Sequence, residues 1–163
     1  MDLKTKRIVN TALFAALICI ATMLVKIPSP FKGYINIGDC AVLLSGWLLP
    51  PFYSFFAAAT GSALADIFSG YIIYAPVTFV IKGAMAVCAN LIFKKLHGFT
   101  GITVAAVIGG ITAEFIMAAG YYIFEGILYG FIPALVGMPA NIVQGAVGFI
   151  TGLLLLKLLK ARI

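Results

Sequence analysis

Six apolar runs divide the chain, at about 8–26, 38–49, 51–69, 75–94, 102–124 and 134–158. A helix that crosses the hydrocarbon of a bilayer needs about 20 predominantly apolar residues. Runs of this kind limit the fold to spanning helices, because lipid offers no partner to an open backbone N–H or C=O. The second run is too short to span alone. Pro50 and Pro51 separate it from the third. Proline is tolerated at the start of a helix and not inside one, so the two runs are expected to be distinct helices joined by an almost absent turn.

Composition removes the soluble alternative. Of 163 residues, 63% are hydrophobic and 10% charged, and the mean hydropathy is +1.15. A soluble domain carries about 25% charged residues to coat its surface. This chain is therefore expected to be an all-α integral membrane protein: one domain over 1–163, a compact bundle of six transmembrane helices.

The net charge of +6 is distributed as a topology signal. Lys4, Lys6 and Arg7 precede the first run, Lys94 and Lys95 follow the fourth, and Lys157, Lys160 and Arg162 close the chain. Those eight basic residues fall on one face, against Lys26 and Lys32 on the other. The positive-inside bias then gives N-in, C-in. No basic stretch interleaved with aromatics is present, so nucleic acid is not an expected partner. The basic start and first apolar run end in "KIPSP" without a small-x-small cleavage pattern, which reads as a retained first helix.

Loop lengths differ between the faces. "PP" and "KKLHGFTG" are the short inner connections; "IPSPFKGYINIGD", "FSGYIIYAP" and "YGFIPALVGMP" are longer and carry Tyr, Asn, Pro and Gly. The outer loops are either a recognition surface or connectors with interfacial aromatics. His97, the sole histidine, falls in the inner loop beside Lys94 and Lys95, and Cys19, Cys40 and Cys88 form no C-x-x-C pair. Neither set makes a metal site, which needs several ligands.

Few polar side chains remain within the runs. Lys82 sits in "APVTFVIKGAMAV", with Thr78 one turn above it. A central Lys costs a spanning helix roughly 2.5–3.5 kcal/mol on insertion scales, so it needs a polar neighbourhood. Glu114 lies in "GGITAEFIMAAGYYIFEG", and at 100° per residue Ala118, Tyr121 and Glu125 share its face. In "MPANIVQGAVG", Asn141 and Gln144 fall on one side of the sixth helix. A cation, two carboxylates, two amides and several tyrosines thus converge near the outward end of helices four to six, as a pocket that opens outward. A Lys82–Glu114 pair that staples two helices is the competing interpretation, and the two are compatible. Asp66 and Asp39 suit local capping or hydration as well as ligand contact.

The motifs that would make this chain self-sufficient are missing. There is no G-x-x-x-x-G-K-[ST] loop, no H-E-x-x-H and no G-x-S-x-G. A membrane enzyme would have to use Glu114 or Asp66 as acid or base, with no paired group to complete the set. Small residues recur at close-approach spacing: Ala12 and Ala16, Ala57, Gly61 and Ala65, and Gly148 and Gly152. They suit internal packing or a partner helix.

Four stretches, "GYINIGDCAVLLSGWLLPP", "GSALADIFSGYIIYAPVTFVIKGAMA", "AEFIMAAGYYIFEG" and "PANIVQGAVG", resemble the substrate-binding S component of energy-coupling factor (ECF) vitamin transporters. The resemblance runs over nearly the whole chain. The order "GYINIGD", "YAPVTFVIKG", "NIVQG" is similar to the branch of small S components for riboflavin, hydroxymethylpyrimidine or pyridoxine. It implies a multi-pass subunit in a prokaryotic cell membrane that captures a vitamin from outside. It also implies a transmembrane coupling subunit and two cytoplasmic ATPases as partners, which would use the ATP, with no cofactor bound by this chain. The first outer loop would be a lid, giving Tyr34 and Asn36 gating or ligand contact. Lys82, Glu114, Tyr74, Tyr121, Asn141 and Gln144 would contact the substrate, and Ala12 and Ala16 the coupling subunit. The compact loops and Glu114 lean toward a single pyridine or pyrimidine ring. A self-sufficient carrier or channel is the alternative, and it would transport without any ATPase.

Overall fold

The shortest helix occupies the centre. The computed structural model describes residues 2–28 and 34–160, so Lys32 and Arg162, counted above as topology charges, lie outside the described residues. The elements in order are α1 (Leu3–Leu24), strands β1 (Ile27–Pro28) and β2 (Tyr34–Ile35), α2 (Gly38–Leu48), α3 (Pro51–Phe68), α4 (Ala75–Thr100), α5 (Ile102–Tyr129) and α6 (Phe131–Lys160). Six helices match the expectation, and four of them are long and apolar enough to cross a bilayer.

At 1.5 Å per residue, α2 is about 16 Å long, roughly half a hydrocarbon thickness. Nine of its eleven residues are buried, and it touches every other helix. The remaining helices surround it, with α3 on α1 and α4, and α5 between α4 and α6. Glycines allow the approach. A Cβ on Gly46 would lie 2.7 Å from the Ala86 carbonyl oxygen of α4, and one on Gly148 would lie 2.6 Å from Asp39 Cβ. Gly61 does the same for α3 against α1, where Ala15 O would be 2.5 Å away. The Gly148 and Gly61 spacings therefore serve internal packing.

Lipid explains the outer surface. Leu13, Phe115 and Ile132 are among many large apolar side chains more than half exposed; in water, such patches would drive association. The α1 helix is the least covered, with only Ile18, Ala21 and Thr22 buried. Its start is secured by Asp2, which accepts from the Thr5 N–H at 2.7 Å.

Two connections differ from expectation. The stretch "KKLHGFTG" is helical up to Thr100, leaving only Gly101, at φ +79°, between α4 and α5. Lys94, Lys95 and His97 end the apolar run without ending the helix, because a helix emerging from lipid needs no further apolar face. His97 thus belongs to the last turn of α4, with Nδ1 3.1 Å from the Phe93 and Lys94 carbonyls. Likewise "YGFIPALVGMP" is not a long loop. Only Gly130, at φ +96°, separates α5 from α6. Pro133 falls in the first turn of α6, where its missing N–H would be unpaired anyway, and Pro139 lies inside the helix.

Candidate functional site

The polar groups gather at the end of the bundle that carries the β-strands. Strands β1 and β2 pair antiparallel, Ile27 with Ile35 and Pro28 with Tyr34; β2 packs against α6 and reaches Asp66 of α3 through Tyr34. Beneath it is a chamber of about 40 Å³. The hairpin side supplies Tyr34, Ile35 and Asn36; α3 and its turn supply Asp66 and Tyr71; Tyr74 and Thr78 come from the start of α4. Tyr121 and Glu125 on α5 and Asn141 and Gln144 on α6 complete the lining.

A tyrosine latch holds the strand down. The Tyr34 hydroxyl donates to Asp66 Oδ1 at 2.7 Å, and its ring packs on Tyr71 at 4.7 Å between centroids. Burial, and then the charge of Asp66, hold the Tyr34 phenol well above its ordinary range, so it stays a donor. Lys26 Nζ lies 5.8 Å from the centroid of the same ring.

Below the chamber runs a continuous buried network. The Asn36 backbone N–H donates to Gln144 Oε1 at 3.0 Å, and the Asn36 amide donates to the same oxygen at 3.3 Å. Asn36 Oδ1 in turn accepts from the Gly38 N–H at 2.8 Å, which fixes the entry into α2. Gln144 Nε2 donates to Asp39 Oδ2 at 2.7 Å, and Lys82 forms a salt bridge with Asp39 Oδ1. Met117 Sδ accepts weakly from both Lys82 Nζ and Gln144 Nε2, at 3.2 and 3.3 Å. Lys82 is 3% exposed and Asp39 0%, so neither charge has water to solvate it and each stabilises the other.

Tyr34, Asn36, Tyr74, Tyr121, Asn141 and Gln144, all expected at the site, share the chamber. Lys82 lies beneath it, 5.7 Å from the centroid of the Tyr121 ring. The Lys82–Glu114 staple is not formed: the partner of Lys82 is Asp39. Asp39 does lie in the first turn of α2, at the positive end of the helix, but makes no capping bond and is fully buried instead of hydrated. Glu114 stands apart from the chamber. With Ala118, Asn141, Gly145 and Phe149 it lines a separate apolar groove between α5 and α6, and both its oxygens are buried without a hydrogen-bond partner among the described residues. The stripe Glu114–Ala118–Tyr121–Glu125 does occupy one side of α5, but only its outer half is roofed by the strand.

Tyr71 is not among the residues expected at the chamber; Glu125 is one of the two carboxylates expected to converge there, and Asp66 is open between local capping or hydration and ligand contact. Glu125 already lay on the α5 stripe, and Asp66 is a carboxylate in an otherwise apolar run, a signal that underdetermined its role. Ala12 and Ala16 are exposed on α1, and Ala12 borders an apolar groove with Ile8, Phe52 and Phe56 at the opposite end. Among the described residues no cluster of metal-ligating side chains occurs.

A helical membrane bundle with a strand-roofed polar chamber defines a membrane substrate-binding subunit. The family described as ECF-type riboflavin transporter, S component, matches residues 2–161, and the chain belongs to it; S components are transport subunits, not enzymes. A protein of Pyrococcus woesei described as an uncharacterized protein in gap 3' region is 38% identical over 147 residues, 90% of this chain and 96% of that one. The fold is shared with the structure of the S component of a bacterial ECF transporter, at a TM-score of 0.75 and 22% identity, over 98% of both chains.

Proposed function

We propose that this subunit captures riboflavin from outside a prokaryotic cell and delivers it while docked on a transmembrane coupling subunit driven by two cytoplasmic ATPases. The observation that carries this is the family match, which spans every residue of the chamber. The lining suits such a ligand. Tyr34, Tyr71, Tyr74 and Tyr121 offer faces and edges for a flat heteroaromatic ring, and Asn141 and Gln144 offer both donors and acceptors to its polar rim. Lys82 acts from below, by holding Asp39 and through it Gln144 in place. Glu114 is not in this shell of contacts. The exposed Ala12–Ala16 face of α1 is the surface offered to the coupling subunit.

A single-ring vitamin such as pyridoxine or hydroxymethylpyrimidine is the second reading, because the chamber of about 40 Å³ must widen for any vitamin and widens less for one ring than for three. The full chain purified in mild detergent decides between them. Mass spectrometry of the molecules that co-purify, with titration by flavin fluorescence quenching, is expected to give one riboflavin per chain. Pyridoxine in the extract and no quenching would replace the flavin. Liposomes that hold this chain alone are expected to take up neither vitamin, whereas uptake without an ATPase would make it a self-sufficient carrier.

A further inference from the structure

We propose that Asp66 and Glu125 are the specificity-determining pair of the chamber, selecting a ligand that presents O–H or N–H donors and rejecting its phosphorylated form. The proposal deepens the transport assignment and rests on it. Asp66 on α3 and Glu125 on α5 are each 5% exposed and both line the chamber. Each is half satisfied. Tyr34 donates to Asp66 Oδ1 at 2.7 Å and Tyr74 to Glu125 Oε1 at 3.4 Å. Asp66 Oδ2 and Glu125 Oε2 are buried with no hydrogen-bond partner among the described residues.

An ionised carboxylate is an acceptor only, and leaving one of its oxygens unpaired in a buried site is costly. Two such oxygens border one void with room for ligand donors, and the Thr78 hydroxyl beside Asp66 is shared with the Tyr121 hydroxyl at 3.0 Å. The charge balance points the same way. The helices bury Asp39, Asp66 and Glu125 against a single buried cation among the described residues, Lys82, which is committed to Asp39. Among the described residues no Lys, Arg or His lines the chamber, although Lys26 lies over the Tyr34 ring. A hydroxyl chain or an amine completes both carboxylates, whereas a phosphate monoester brings about −1.5 to −2 charges against two carboxylates with no cation among the described lining residues.

The test compares, on the purified full chain, riboflavin with riboflavin 5′-phosphate, and pyridoxine with pyridoxine 5′-phosphate, by equilibrium titration. The parent vitamin is expected to bind at least about tenfold tighter than its phosphate, the worth of one charged hydrogen bond or more. Asp66→Asn and Glu125→Gln are each expected to narrow that ratio by about tenfold while changing the affinity for lumiflavin, a ring without the hydroxyl chain, less than about threefold. Equal binding of parent and phosphate by the unmodified chain overturns the proposal without any variant. So does a ratio that survives both substitutions in variants that elute as the parent does. If only the pyridoxine pair binds and is discriminated, the flavin assignment falls and the carboxylate pair stands; if neither parent binds, both fall.

Discussion

The two ends of α2 bury polar groups to similar depth and use them differently. At the inner end, the Asn90 amide of α4 donates to the Gly46 and Leu49 carbonyls, both at 2.6 Å. It closes the last turn of a helix whose carbonyls have no water, in the region where Gly46 lies on Ala86. At the outer end, Asp39, Lys82, Gln144 and Asn36 pair with one another, and above them Asp66 and Glu125 are left half paired around a void. Orphan atoms alone do not separate the ends, since Asn90 Oδ1 and Trp47 Nε1 also lack partners. The distinction is that two orphans of the outer end, Asp66 Oδ2 and Glu125 Oε2, belong to residues that border one shared chamber, whereas Asn90 and Trp47 do not line it. Buried polarity in lipid marks a site where it converges on space; elsewhere it fastens helices.

The sharpest way to break that contrast is at the base of the network. Lys82→Met removes the one cation that balances Asp39 and leaves a sealed carboxylate unpaired, an expected loss of about 3–5 kcal/mol of stability. It should appear as a large fall in the detergent melting temperature. The double substitution Lys82→Met with Asp39→Asn is expected to recover most of that loss, because no uncompensated charge remains. A single variant as stable as the parent would mean that the ion pair does not support the outer end.

The inner end gives the next largest effect. Asn90→Leu withdraws two donors from helix-terminal carbonyls, at about 1–3 kcal/mol for the groups left unpaired. Thermal melting should fall while the vitamin affinity of the folded fraction stays within about twofold, since Asn90 belongs to the fastening and not to the chamber. A parallel fall in affinity would join the two ends into one unit and erase the contrast.

Much of this was readable from spacing. The six helices, the Pro50–Pro51 break and the polar faces of α5 and α6 follow from apolar run length and 3.6-residue periodicity, which lipid enforces strictly. The connections were less readable: charge at Lys94 and Lys95 marks the edge of lipid, not of a helix, so α4 runs on to Thr100. The choice of ion-pair partner was not readable at all. Lys82 had several carboxylates within the apolar runs to choose from, and periodicity orders residues only along one helix. Asp39 is selected because α2 is short and central, which depends on how the other helices pack. Glu114 lies on the expected face of α5 but lines the groove between α5 and α6 and not the chamber under the strand, a difference set by a distant strand that periodicity along α5 does not register.

The smallest expected effect bears on the roof itself. Tyr34→Phe deletes the hydroxyl that donates to Asp66 and leaves the ring against Tyr71, so the strand keeps its apolar seat and loses its latch. One hydrogen bond of this kind amounts to about 0.5–1.5 kcal/mol net, or about two- to twelvefold in an equilibrium. Stopped-flow release of bound vitamin should quicken by that factor, with melting nearly unchanged. The pH dependence fixes the sign. A free phenol ionises near about pH 10, and this one is held higher by burial and by Asp66; its contribution is therefore complete at neutral pH and lost only as pH rises beyond that ordinary value. Between about pH 6 and about pH 9 the Tyr34→Phe variant should thus differ from the parent by a constant factor in release rate. A factor that shrinks steadily across this window would mean that the phenol titrates there, and the hydroxyl could not then be a buried latch.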